Sequence, residues 1–442
     1  METNNILIKN GTILNPKSNG EVGYGKSSIL IENDRISLIE DDIEDGNAEK
    51  VIDADGKIIM PGLINTHCHI PMTLFRSLAD DLELDSWLND HIWPMEANLN
   101  SEYTYNGALL GALEMIKSGT TTFSDMYFYM GDVARAIDKA GIRAVLSYGM
   151  IDFGDGEKRE NEFRENIDLI KNYNNTSDGR ITTMFGPHSI YTTSPELIKR
   201  VRSEANKYNV GIHIHMNETQ KEIKDSIELN GMRPFEYLDD LGFLSSDVVA
   251  AHCVWLSDNE ISLIKENDVK VSHNPCSNAK LASGIAPVSK LLENDICVSI
   301  GTDGASSNNN LDMFEEMKFA ALLQKVSTLD PEVLSAEQTV AAATINGARA
   351  LGLDKDIGSI EEGKKADIIL VDTNRPNFTP LGNSLCANIV YSANGDNVDT
   401  TICNGQILME NRKLNTLDEL SILENAKQSI NEMIELKENS EE

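Results

Sequence analysis

Apolar residues along this chain fall into two textures. Short alternating runs at residues 6–8, 12–14, 28–31, 35–39 and 50–53 open it, divided by turn signals such as Asn10-Gly11 and Glu32-Asn33-Asp34-Arg35. Alternation with a period of two predicts strands with one buried face, and Asn-Gly is a hairpin-type turn. The same texture returns at 358–371 and 400–403, the latter followed by Asn404-Gly405. Two β-rich ends flanking a long middle predict a small β-sandwich domain assembled from both chain ends, residues 1–60 and 352–415.

The middle, residues 61–351, alternates apolar strands with amphipathic helical stretches. Strand candidates lie at 58–69, 120–126, 143–150, 181–188, 210–217, 248–256, 269–275 and 297–303. Helix-like stretches between them include 103–117, 133–139, 194–208 and 234–240. This β/α rhythm with eight strands predicts a (β/α)8 barrel of the TIM type, an α/β fold. Helical stretches at 331–351 and 417–437 follow, and 416–442 reads as an acidic C-terminal helix packed on the outside or at a subunit contact.

Composition narrows the partners. With 71 acidic and 38 basic residues the formal net charge is −33, a field that repels polyanions and argues against nucleic acid. The charge mainly keeps the surface solvated. No run approaches the roughly 18 uncharged apolar residues of a membrane span. The first residues lack the basic start and apolar core of a signal peptide, and the six cysteines include no CxxC pair. The expectation is a cytoplasmic protein with reduced thiols, free of membrane contact.

Candidate chemistry sits at the strand ends. In such a barrel reactive groups gather at the C-terminal ends of strands, and of the eight histidines only His91 falls elsewhere. His67 and His69 flank Cys68 at the end of the first strand, so both imidazoles share one face and Cys68 points away. His213 and His215 repeat the spacing on the fifth strand, and one of them suffices to extend the first pair. Asp303 follows the eighth strand in Gly301-Thr302-Asp303-Gly304, where a buried carboxylate is costly without a cation. Imidazoles with a carboxylate suit Zn2+, with Fe2+ or Mn2+ as alternatives. A divalent ion so held acidifies bound water toward neutrality. His252, ending the sixth strand, is placed to hydrogen-bond that water. Glu218, just after His215, is placed to carry a proton as general acid and base. His91, His213 and His273 are expected to serve only as hydrogen-bonding groups of the rim, and Arg76 to be structural.

Residues 66–88, from Thr66-His67-Cys68-His69 to Trp87-Leu88, resemble the amidohydrolase superfamily. More narrowly they resemble the branch deaminating S-adenosylhomocysteine, methylthioadenosine and 5′-deoxyadenosine. Further matching segments are Phe185-Gly186-Pro187-His188, His213 through Thr219, Ala251-His252-Cys253, Ser272-His273-Asn274-Pro275 and Gly301 through Asn308. The resemblance runs from the N-terminal sheet to about residue 410. It implies His67, His69, His215 and Asp303 as ligands of one divalent metal, Glu218 as proton shuttle, and His252 with Asp303 as the residues steadying the attacking water. It implies Glu96 as the acid holding ribose hydroxyls and His188 as a residue touching the nucleoside, with Trp87 and Ser307 at pocket positions. No lysine ends the fourth strand, where two-metal members carry one. A homo-oligomer, tetramer or dimer, is implied as well.

One position departs from the branch. Members favouring S-adenosylhomocysteine tend to carry an arginine near the end of the third strand, and here Tyr148 stands there. Tyrosine cannot form a forked ion pair with a carboxylate, although Arg159 or Arg164 downstream could supply one. The favoured substrate is therefore a nucleoside with a neutral 5′ end, 5′-deoxyadenosine first, then methylthioadenosine, S-adenosylhomocysteine and adenosine. The alternatives are guanine or another aminated heterocycle, which Glu96 disfavours, and a non-catalytic scaffold barrel, which the full ligand set disfavours.

Overall fold

The first long apolar run does not form one strand. In the structure, a computed structural model that describes residues 5–441, it breaks at Gly62 into Lys57–Pro61 and Leu63–Cys68. Gly62 N donates to Asp367 O at 2.9 Å and Leu63 N to Gly119 O at 3.0 Å, so the chain changes partners at that peptide. Lys57–Pro61 joins a sheet made from the chain ends; Leu63–Cys68 opens the barrel.

The barrel strands are β1 (Leu63–Cys68), β2 (Thr120–Tyr127), β3 (Arg143–Met150), β4 (Ile181–Pro187), β5 (Ile212–Met216), β6 (Val248–His252), β7 (Lys270–His273) and β8 (Val298–Ile300). They pair in parallel and in chain order. Between β1 and β8 the closure is partly made by side chains. Thr66 Oγ1 lies 2.9 Å from Ser299 Oγ and donates to Ile300 O at 3.0 Å, and Asp303 N donates to His67 O at 2.9 Å. Gly301 permits this approach, because a Cβ there would stand 2.8 Å from His67 N and from Ser272 Oγ. Parallel strands need crossover connections, here helices such as Ser101–Lys117 and Pro195–Tyr208, which cover the outside of the barrel.

Two further sheets come from the chain ends. One orders Arg35–Glu40, Ser28–Glu32, Asn5–Lys9 and Lys50–Asp53; the other holds seven strands, in which Ile368–Asp372 pairs antiparallel with Lys57–Pro61. Ile6, Ile8, Ile29, Ile59, Ile368 and Leu370 pack in one buried cluster between them. Val22–Lys26 is a strand that the pattern of apolar positions does not reveal, since it contains Gly23 and Gly25 and stays largely exposed. The stretch 331–351 forms two helices, Ala336–Ala342 and Ile345–Ala350. Ala343 O accepts from Ile64 N at 2.9 Å, which ties the break to the first barrel strand. Helix Glu419–Glu441 lies against Ser101–Lys117, with Asn106 Nδ2 donating to Ser429 Oγ at 3.0 Å. Among the described residues no helix is long and apolar enough to cross a membrane.

A buried ion pair joins the barrel to the end sheets. Arg143 at the start of β3 donates from Nε to Asp367 Oδ2 at 2.9 Å and from Nη2 to Oδ1 at 3.1 Å. Removing one partner strands the other charge, so Arg143→Met should destabilise the protein by roughly 3–5 kcal/mol. A lowered urea midpoint would report it, and an unchanged one would refute it.

Candidate active site

Three strand ends, those of β1, β5 and β8, bring the four predicted ligands together at one rim. Asp303 Oδ1 lies 3.3 Å from His67 Nε2 and 3.2 Å from His69 Nε2. His69 Nε2 in turn lies 3.3 Å from His215 Nε2. A tetrahedral ion with bonds near 2.0–2.1 Å has ligand-to-ligand edges of about 3.3–3.4 Å, so these spacings match such an ion. His67 Nε2 is buried and has no hydrogen-bond partner, as a metal-binding lone pair requires. The set fits a divalent cation.

The outer faces of the rings are also held. His69 Nδ1 donates to Met126 O at 2.5 Å and His215 Nδ1 to His188 O at 2.7 Å. A ring nitrogen facing a carbonyl must carry the proton, which leaves Nε2 as the donor toward a metal. His67 Nδ1 lies 2.8 Å from His213 Nε2, so His213 supports a predicted ligand from behind. Asp303 Oδ2 accepts from Ser277 Oγ at 2.6 Å and from Ser307 Oγ at 3.0 Å. Burial keeps His67 neutral, its pKa lowered to about 4, and holds His215 far below its usual range. Burial also pulls on His69, but the Asp303 carboxylate outweighs it and raises His69 to about 9. Burial works against the Asp303 carboxylate too, yet His67 and His69 hold its pKa well below the ordinary range. Asp303 thus draws positive charge into the cluster.

His252 and Glu218 stand beside this group. His252 Nε2 is 3.8 Å from Glu218 Oε2, and its Nδ1 lies 2.9 Å from Asn278 Oδ1. Asn278 accepts the Nδ1 proton, so Nε2 faces the site. His67, His215 and His252 form a second converging triad beside His67, His69 and Asp303. Only the set with Asp303 brings a negative charge to offset a dication. Burial raises the Glu218 carboxyl above the usual range, which suits a group that takes and returns a proton. Asn217, His252 and Asp303 have φ of 52°, 72° and 61°, left-handed backbone that turns the chain sharply as it leaves these strands.

A cavity opens above the cluster, walled by His69, Trp87, Glu96, His188, Glu218 and Asp303 among others. Burial pushes the Glu96 carboxyl up to about 7, and Tyr127 Oη donates to its Oε1 at 2.6 Å. Trp87 opens the π-helical turn Trp87–Ile92, and its indole N–H is buried without a partner. Burial lowers His188 to about 3, so it meets a ligand as neutral imidazole.

Four expectations change here. Ser307 is turned toward Asp303 and does not line the cavity, because helix Ala305–Asn308 starts just after Asp303 and folds its hydroxyl back. Tyr148 lies outside the inner cavity, in an adjoining recess with Phe128, Lys158, Glu162 and Arg164. Arg159 is engaged elsewhere, donating from Nε to Asp152 Oδ2 at 2.8 Å. His273 was expected to hydrogen-bond within the rim, yet both its ring nitrogens are buried without partners. Arg76 is structural as expected, bridging Glu114 and Asn309 O. Tyr127, Ser277 and Asn278 carry no spacing signal in the sequence and emerge only as neighbours of Glu96, Asp303 and His252.

The barrel, with imidazoles and a carboxylate converging at its C-terminal rim, has the donor set of a metal-dependent hydrolase. The chain belongs to the amidohydrolase family, whose profile matches residues 58–408. It is 64% identical over 435 residues to the 5′-deoxyadenosine deaminase of Methanobrevibacter smithii, covering 98% of this chain and 99% of that protein. It is 50% identical over 404 residues to a 5-methylthioadenosine/S-adenosylhomocysteine deaminase of Thermococcus sibiricus, covering 91% of this chain and 94% of that one. The structure of an adenosine deaminase from Xanthomonas campestris with bound zinc superposes with a TM-score of 0.91 at 34% identity, covering 97% of this chain and 98% of that one.

Proposed function

We propose that this protein hydrolytically deaminates adenine nucleosides modified at the 5′ carbon, 5′-deoxyadenosine foremost, giving the inosine derivative and ammonia. The observation that carries the reading is a ligand cluster of metal-binding geometry beneath a cavity that also holds the half-buried Glu96 and the buried Glu218. The names of the two sequence relatives support the substrate class. His67, His69, His215 and Asp303 would hold one divalent ion, and zinc is favoured by the imidazole-rich set and by the zinc-bound structural relative. When bound, the ion supplies a water acidified toward neutrality.

The protein's own residues then have separate tasks. His252 Nε2 and Asp303 orient the attacking oxygen toward C6 of the purine. Glu218 moves a proton to the ring nitrogen as the amino group becomes a leaving group. Glu96, oriented by Tyr127, accepts the ribose hydroxyls, with His188 and Trp87 contacting the nucleoside. The apolar cavity walls exclude water, which strengthens each of these charges and hydrogen bonds. We assign the protein to the cytoplasm as a homo-oligomer.

The recess beside the cavity bears on the 5′ substituent. It combines Tyr148 with Lys158, Arg164, Glu162 and Glu165, a mixed rim in which the two glutamates oppose the binding of an amino-acid carboxylate by Lys158 or Arg164. Loss of adenine absorbance should therefore give kcat/KM for 5′-deoxyadenosine and methylthioadenosine at least tenfold above S-adenosylhomocysteine, a difference of about 1.4 kcal/mol. Tyr148→Arg should narrow that gap. If S-adenosylhomocysteine leads in the unmodified protein, Arg164 or Lys158 holds the tail. If all the nucleosides are inert, the adenosine reading falls and guanine is the next substrate to assay.

A further inference from the structure

The turn that carries Glu218 is held by a second carboxylate. Thr219-Gln220-Lys221-Glu222 has the sequence of a helix capping box, and the Thr219 hydroxyl accepts from Glu222 N at 3.1 Å as it caps helix Gln220–Asn230. In a capping box the glutamate turns back to the N–H of the capping residue itself. Glu222 reaches further. Its Oε1 accepts from Asn217 N at 3.0 Å and its Oε2 from Glu218 N at 2.8 Å.

The other side of the same peptide is tied to the turn after His252. Asn217 O accepts from Val254 N at 3.0 Å and from Trp255 N at 2.9 Å. The Asn217 side chain donates to Glu260 Oε1 at 2.9 Å and to Trp255 O at 3.1 Å, fixing a residue whose φ is 52°. The peptide joining Asn217 to Glu218 is therefore held at both its oxygen and its N–H. The Glu218 carboxyl is held far more loosely, with Ser283 Oγ at 3.4 Å and His252 Nε2 at 3.8 Å. Where that carboxyl sits is decided by the main chain from which it hangs. Glu222 is 5% exposed, and burial together with the nearby Glu218 and Glu260 pushes its pKa up to about 8 against the pull of its two backbone donors. A buried acid among acids is an expensive way to cap a helix when the Thr219 hydroxyl already does so.

We propose that Glu222 is a positioning residue for Glu218, clamping the backbone N–H groups of Asn217 and Glu218 and so aiming the Glu218 carboxyl at the purine ring. The inference rests on the reading of Glu218 as proton shuttle. Glu222→Ala removes both acceptors; Glu222→Gln keeps one.

The test is steady-state kinetics of the zinc-loaded protein on 5′-deoxyadenosine, with zinc content and 5′-deoxyinosine binding measured in parallel. Glu222→Ala should lower kcat about 100-fold, the size expected of a misaimed catalytic group. Glu222→Gln should fall between it and the unmodified protein, while zinc content and product affinity stay within about twofold, since neither depends on that aim. In a Glu218→Gln background, adding either Glu222 substitution should cost less than about twofold further, because residues acting through one another are not additive. Full multiplication of the two losses, or an unchanged kcat in the Glu222 variants, overturns the inference while leaving the Glu218 reading intact. An unimpaired Glu218→Gln protein overturns that reading and the inference with it. If Glu222→Ala fails to fold, Glu222→Gln in both backgrounds decides the matter.

Discussion

Glu218→Gln is expected to lower kcat by roughly 10²–10⁴-fold, the range for loss of a general acid–base group, with zinc content unchanged. Glutamine keeps the size and polarity of the side chain but cannot take up or release a proton near neutral pH. Glu218 is buried beside His252, in the wall of the cavity, and its carboxyl is raised above the ordinary range by that burial. It is not a member of the Asp303, His67 and His69 group whose spacings match a tetrahedral ion. The loss should therefore fall on kcat, with little change in KM for 5′-deoxyadenosine. Kinetics with metal analysis on the same sample checks it. A loss below tenfold would mean that another group carries the proton, and His252 would be the next to replace.

Removing the metal should have an effect at least as large and of a different kind. Three imidazoles and a carboxylate face one another within a buried cluster, and His67 Nε2 has no hydrogen-bond partner there. A chelator should abolish deamination and lower the melting temperature, and added Zn2+ should restore both. An ion present at a thousandfold above its Kd stabilises the folded state by about 4 kcal/mol, so the shift should be readily seen by calorimetry. His215→Ala should reproduce the low metal content without a chelator. A metal-free protein that keeps its activity would refute the ligand assignment.

Much of this architecture is legible in the chain. His67 and His69 can be paired from their spacing because side chains on a strand alternate. The barrel follows from strands and helices that recur through the middle of the sequence. Strand β3 begins and ends where its apolar run does, at Arg143 and Met150. Other features depend on contacts between distant segments. The break at Gly62 is fixed by hydrogen bonds to Asp367 and Gly119, and the division of 331–351 by a bond from Ile64 to Ala343. Tyr127 behind Glu96, Asn278 behind His252 and the inward turn of Ser307 toward Asp303 belong to the same class.

The sequence by itself determined the order of strands and helices, the strand-end position of each candidate ligand and the family to which the chain belongs. These depend on neighbours a few residues apart, whose hydrophobic periodicity is written directly in the chain. The tertiary structure decided the spacings among His67, His69, His215 and Asp303, the burial that shifts their ionisation, and the clamp that Glu222 places on the Glu218 turn. Those follow from barrel closure and from burial. Closure brings remote strand ends within hydrogen-bonding reach of one another, and burial removes the water that would otherwise keep each ionisable group near its ordinary pKa.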